Sequence, residues 1–159
     1  GWQVLAAARV GERGGSIDEM IQAAEQARQN LSAFFAVETL DYLRRGGRIG
    51  GAAWLLGTAL RLKPLLEIDN SKGVVEAVER IRTRKRCLSR CLEVTLASLD
   101  PSRRIHLAVV HSAARAQAKA LLDRLLEQID VAEHYVTELS PILGVHGGPG
   151  IVGIAAYSE

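Results

Sequence analysis

The stretch Gly144-Val145-His146-Gly147-Gly148-Pro149-Gly150 puts four glycines and a histidine into seven residues. Glycines expose backbone N–H groups that can hold an anion, and His146 adds a titratable donor. The expected anion-side residues are therefore His146, Gly147, Gly148 and Gly150. The stretch lacks the Lys-Ser/Thr of a phosphate loop and the G-x-G-x-x-G spacing of a dinucleotide fold. A second turn runs from Tyr42 to Gly50, where paired glycines, Gly46 and Gly47, stop a helix just before Arg48. A guanidinium there can grip a carboxylate or phosphate through two parallel hydrogen bonds. A plain helix stop is the alternative reading. A third feature is the basic run Arg80, Arg82, Arg84, Lys85, Arg86 and Arg90. Several of these fall in the first turn of a helix, where each cation opposes the helix dipole by about 0.3–1 kcal/mol. Either an anion or an acidic partner compensates, or Glu76 and Glu79 share a solvated face with the run. No aromatic residue interleaves it, so base stacking of the kind used by single-strand binders has no support.

Other polar residues carry less. His111 follows a strand, at the end where open α/β sheets gather ligands. His106 and His134 lie within strands and read as structural. Ser112 has no nucleophile elbow around it, and no carboxylates are paired in a motif. Nothing points to a hydrolase or a redox enzyme, and no cofactor or metal is expected. Cys87 and Cys91, four residues apart, read as small buried apolar residues of a reducing compartment.

These residues must be positioned by an aliphatic framework, because aromatics make up only 4% of the chain. Leu, Ile, Val and Ala strands under Ala- and Leu-rich helices favour α/β layers. Helical patterns end near Gly11, run from a Ser16/Glu19 capping box to Gln29, and follow Thr39 to Arg45. A small apolar helix is expected from about Gly50 to Leu60, another follows Thr83 to Ser98, and one spans Ala114 to Ile129. Strands are predicted over Leu31–Val37, Pro64–Asp69, Gly73–Arg82, Ile105–Val110, Ala132–Leu139 and Ile151–Tyr157. At most one helical turn is expected from Pro141 to Val145. The turn Asn70-Ser71-Lys72-Gly73 has hairpin chemistry. The expected fold class is α/β, a mixed sheet of about six strands with helices on its faces. The helix around Trp54 is apolar on nearly every side, so it is either buried or borders an apolar cavity. The longest apolar stretch, Ala52 to Leu60, is too short to span a bilayer, so no stable membrane insertion is expected. No signal-peptide pattern is visible, which suggests a cytoplasmic protein, and the opening without Met suggests a portion of a longer one.

Thr39 through Gly50, Leu62-Lys63-Pro64-Leu65-Leu66, Arg82-Thr83-Arg84-Lys85-Arg86 and Thr137 through Gly150 together resemble the DegV family in order and spacing. The resemblance implies one domain of a two-domain α/β architecture with a long-chain fatty acid held between the domains. It also implies a non-enzymatic carrier that presents the carboxylate to a fatty-acid kinase. Residues 1–159 would then be the C-terminal part, without the family's N-terminal domain. His146 and its glycines would lie near the carboxylate, and Arg82 and Arg84 would face the kinase or the acyl phosphate. Leu40, Leu43, Ile49, Ala53 and Leu56 would border the acyl tunnel. Val145 stands where the family usually carries Thr. The alternative from the residues is a phosphate-handling or nucleic-acid-binding module that uses the basic helix and the Gly-rich loop, although no nucleic-acid partner is expected. With half a tunnel wall, this chain is expected to bind fatty acid weakly or not at all and to self-associate through its apolar face as a homo-oligomer.

Overall fold

Helix boundaries follow local chemistry closely. The computed structural model describes residues 1–55 and 62–159. Helix α1 spans Trp2–Glu12 and α2 spans Ile17–Gln29. Ser16 caps α2 with the full reciprocal pair: its side chain accepts from the Glu19 backbone N–H, and the Glu19 carboxylate accepts from the Ser16 backbone N–H. Helix α3 is short, Asp41–Arg45. Thr39 Oγ1 accepts the Asp41 N–H at 3.2 Å just ahead of it. Helix α4 spans Arg84–Ser98 and starts at Thr83, whose Oγ1 accepts the Arg86 N–H at 3.3 Å. Among the described residues, helices α5 (Arg115–Leu126) and α6 (Pro141–Gly147) complete the set. The expected apolar helix is a 3₁₀ turn over Gly50–Leu55, and the remainder of that expectation, Leu56 included, lies outside the described residues.

Among the described residues the strands are β1 (Leu31–Ala36), β2 (Lys63–Asp69), β3 (Val74–Ile81), β4 (Ile105–His111), β5 (Glu133–Glu138) and β6 (Val152–Ser158). They form one mixed sheet in the order β3-β2-β1-β6-β4-β5. The β4–β5 pair is parallel, joined by the α5 crossover, and the other pairs are antiparallel. The β2–β3 turn is built by Asp69, whose Oδ1 accepts from the backbone N–H of Ser71 at 2.8 Å and of Lys72 at 3.1 Å.

The two sheet faces carry different loads. Successive strand residues alternate sides, so Ile105, Leu107 and Val109 of β4 share a face with Val152, Ile154 and Ala156 of β6. Helices α4 and α5 cover that face with Cys87, Cys91, Leu92, Leu121 and Leu125, forming the main core. Both thiols are buried and free; burial pushes Cys87 up to about 11 and Cys91 to about 12. Among the described residues, the opposite face is covered at its two ends. At one end Trp2 packs on Tyr157 and Leu31. At the other, Leu43, Ala52 and Leu55 pack on Val37, Leu66 and Ile151.

Candidate ligand pocket

Between those two ends a pocket of about 510 Å³ lies on the sheet face. Ala33, Phe35, Gly153 and Ala155 lie on its β1 and β6 side, and Val74 and Val75 reach it from β3. Leu43, Leu139, Leu143 and Ile151 line it at the α3 and α6 end. Among the described lining residues, Arg48 and His146 are the two that carry polar side chains.

Two interlocked turns hold these polar groups. The Gly-rich segment expected as a loop is partly helical: α6 continues through His146 to Gly147, and Gly148 N donates to Gly144 O at 2.8 Å. The Pro141 at its start has no N–H to lose there. His146 therefore sits on a last helical turn, where its ring packs against Gly46. A β-carbon at Gly46 would run into His146 Nδ1. In the other direction, the Tyr42 ring lies over Gly148, which adopts φ 79° and ψ 175°. Glycine is required at 148 on both counts, because only glycine populates that backbone region. Next in the chain, Gly150 N donates to Ser112 O at 2.7 Å, and Ser112 N donates to Ile151 O at 3.0 Å, tying the bend to the end of β4.

The expected anion-side residues divide. Arg48, Gly47, His146 and Gly147 all line the pocket, and Arg48 is exposed, with Nη1 at 3.4 Å from Gly46 O. Gly148 and Gly150 shape the bend rather than the lining: Gly148 is buried under Tyr42, and Gly150 abuts the Glu38 side chain. His146 Nδ1 is buried and has no hydrogen-bond partner among the described residues. A buried polar atom left unpaired costs about 1–3 kcal/mol.

The expected tunnel residues divide too. Leu43 lines the pocket, while Leu40 and Ile49 are half-buried and pack behind it against the Leu43 cluster. Ala53 is exposed on the 3₁₀ turn. Of the two arginines expected to face a partner, Arg82 is exposed. Arg84 turns inward and is only 15% exposed. Its Nε lies 3.3 Å from Glu38 Oε1, it donates to Gln117 Oε1 at 3.2 Å, and its Nη2 donates to Gly150 O. Burial holds its pKa below the usual arginine value, opposed by the Glu38 charge. This arginine braces the glycine bend against α4 and α5. Arg90 pairs with Glu79 and Glu93, at 3.1 and 2.9 Å, so Glu79 does share the basic face.

Away from the pocket, His111 is buried with Nδ1 unpartnered among the described residues. His106 is buried between Glu133 (2.5 Å) and Glu159 (3.0 Å) and stacks on Tyr157. Among the described residues no three His, Cys, Asp or Glu side chains assemble a metal site, and no helix is long and apolar enough to cross a membrane. The pocket floor is not legible from local sequence pattern. Its signal in the sequence is the spacing of Ala33 with Phe35 and of Gly153 with Ala155, two residues apart on strands.

Comparison with known proteins gives a consistent match. Residues 1–159 match the sequence profile described as "Uncharacterised protein, DegV family". A DegV domain-containing protein of Streptomyces coelicolor is 43% identical over 160 residues, covering 100% of this chain and 56% of the relative. A Mycobacterium tuberculosis relative is 40% identical over 97% of this chain and 54% of its own length. Among solved structures, a DegV family protein from Thermus thermophilus, described for its fatty acid binding, superposes with a TM-score of 0.92 at 36% identity, over 99% of this chain and 56% of that one. DegV from Bacillus subtilis, described as a fatty acid binding protein, gives 0.84 at 30% identity, over 99% and 55%. The chain thus spans about half the length of the relatives it matches. Matched from its first residue to its last, it belongs to the DegV family.

Proposed function

We propose that this chain forms one wall of a long-chain fatty-acid carrier, with the acyl chain in the 510 Å³ pocket and the carboxylate at its Arg48–His146 end. The observation that carries this reading is the make-up of the lining: two cationic or titratable side chains at one end, and apolar residues elsewhere. An acyl chain has the same polarity, one anionic end and a long apolar body. Each methylene taken out of water contributes about 0.8 kcal/mol. The relatives from Thermus thermophilus and Bacillus subtilis, described as fatty-acid binders, support the same reading.

In this reading the second wall comes from the part of the relatives' length that this chain does not span. The exposed side chains Ile142, Leu143, Val145 and Trp54, each at least 55% exposed, suit such a cover. Alone, the chain binds weakly and self-associates through this rim. The carrier works in the cytoplasm without catalysing a reaction and presents the carboxylate to a fatty-acid kinase, with Arg82 on the approach side and Arg84 holding the bend beneath it. Titration calorimetry of palmitate and of hexadecanol into the full-length protein tests the reading. Binding of palmitate that Arg48→Ala weakens, with hexadecanol insensitive to the substitution, supports it. Equal binding of both ligands with no effect of Arg48→Ala contradicts it.

A further inference from the structure

The far end of the pocket differs in kind from the end that holds His146. Along β1 and β6 the pocket passes from the Phe35–Gly153 pair to the Ala33–Ala155 pair, which lie directly opposite each other. Ala155 is also opposite Ala108 of β4, so three alanines sit side by side across adjacent strands. Just beyond stands Trp2. It is buried, its Nε1 donates to Ala155 O at 2.9 Å, and its ring packs against Tyr157. Ala155 therefore belongs both to the pocket lining and to the contacts of the Trp2 cluster. From Ile151 beside the glycine bend to Ala155 the backbone advances about 13 Å at the strand rise of ~3.3 Å per residue.

Resting on the carrier reading above, we propose that Ala33 and Ala155 set the acyl-chain length this pocket accepts. A tail whose carboxylate is held at Arg48 and His146 runs along β6 toward these alanines and stops against Trp2. The alanines leave depth there because each projects only one carbon from the sheet. Both are half-buried and face the pocket, so a larger side chain grows into the space the tail uses and leaves the main core on the other face intact.

The test uses the full-length protein with Ala155→Leu and Ala33→Leu, reading displacement of a fluorescent fatty acid by decanoate, myristate, palmitate and stearate. Each methylene displaced from burial is worth about 0.8 kcal/mol, close to fourfold in affinity. Displacing three methylenes lowers stearate affinity on the order of 50-fold while decanoate affinity holds. Loss of equal size at every length, or no loss, overturns the length rule. A wild-type protein that takes none of the acids overturns the carrier reading itself, and the length rule with it. Should a leucine variant fail to melt cooperatively, Ala33→Val makes the same comparison with a smaller increment.

Discussion

Replacing Gly148 with alanine tests how the two turns at the pocket mouth hold each other. At φ 79° and ψ 175° an L-residue is strained by about 1–3 kcal/mol, and the new β-carbon would overlap the Tyr42 ring. Tyr42 is 38% exposed, so its ring can swing outward, and the steric part is expected to add about 1 kcal/mol. The total, roughly 2–4 kcal/mol, corresponds to a drop in Tm of roughly 5–15 °C for a chain of this size. Thermal melts of the wild type, Gly148→Ala, Tyr42→Ala and the double variant form a cycle. The double variant should recover the steric part, about 1 kcal/mol, and leave the backbone strain in place. Gly148→Ala melting with the wild type would rule out both the backbone strain and the clash with Tyr42. Complete recovery in the double variant would refute the strain component.

Thr83→Ala removes the acceptor for the Arg86 N–H and should cost about 1 kcal/mol in urea unfolding, as loss of a helix cap does. Burial by itself raises the Glu133 carboxyl, but hydrogen bonds from Arg9, Tyr135 and His106 outweigh it and hold the group at about 2. Its contribution is therefore fully present above the ordinary carboxylate range and is lost as pH falls toward about 2. Wild type should lose Tm more steeply than Glu133→Gln between pH 5 and pH 2, and parallel curves would contradict this. With burial raising Cys87 to about 11 and Cys91 to about 12, neither thiol should react with a disulfide reagent at neutral pH until the chain unfolds. Rapid labelling of the native protein would contradict that expectation.

What was legible in the sequence was what adjacent residues decide. Ser16 with Glu19, Thr83 ahead of Arg84 and the Asn70–Gly73 turn each act within a few residues, and their elements stand where the spacing puts them. The six-strand mixed sheet was legible from apolar runs and one hairpin. Helix α6 outran its expected stop at Val145 because packing of α3 against it, with Gly46 under the His146 ring, supports a glycine-rich turn that propensity alone disfavours. The spacing puts Arg84 in the first turn of α4, but its inward direction depends on Glu38, Gln117 and Gly150, which are far away in sequence. Ala53 fell on the exposed side because the segment winds as a 3₁₀ turn, whose three-residue period presents a different face from that of an α-helix. The Ala33–Ala155 pair depends on strand register between distant segments, which no local pattern encodes.

The most direct measurement is a crystal structure of the full-length protein with palmitate carrying bromine at its tail carbon, located by anomalous scattering. The carboxylate should lie within hydrogen-bonding reach of Arg48 and His146, and the bromine over Ala33 and Ala155 beside Trp2. A carboxylate placed at the Trp2 end, or a chain lying outside the sheet-face pocket, would contradict this placement.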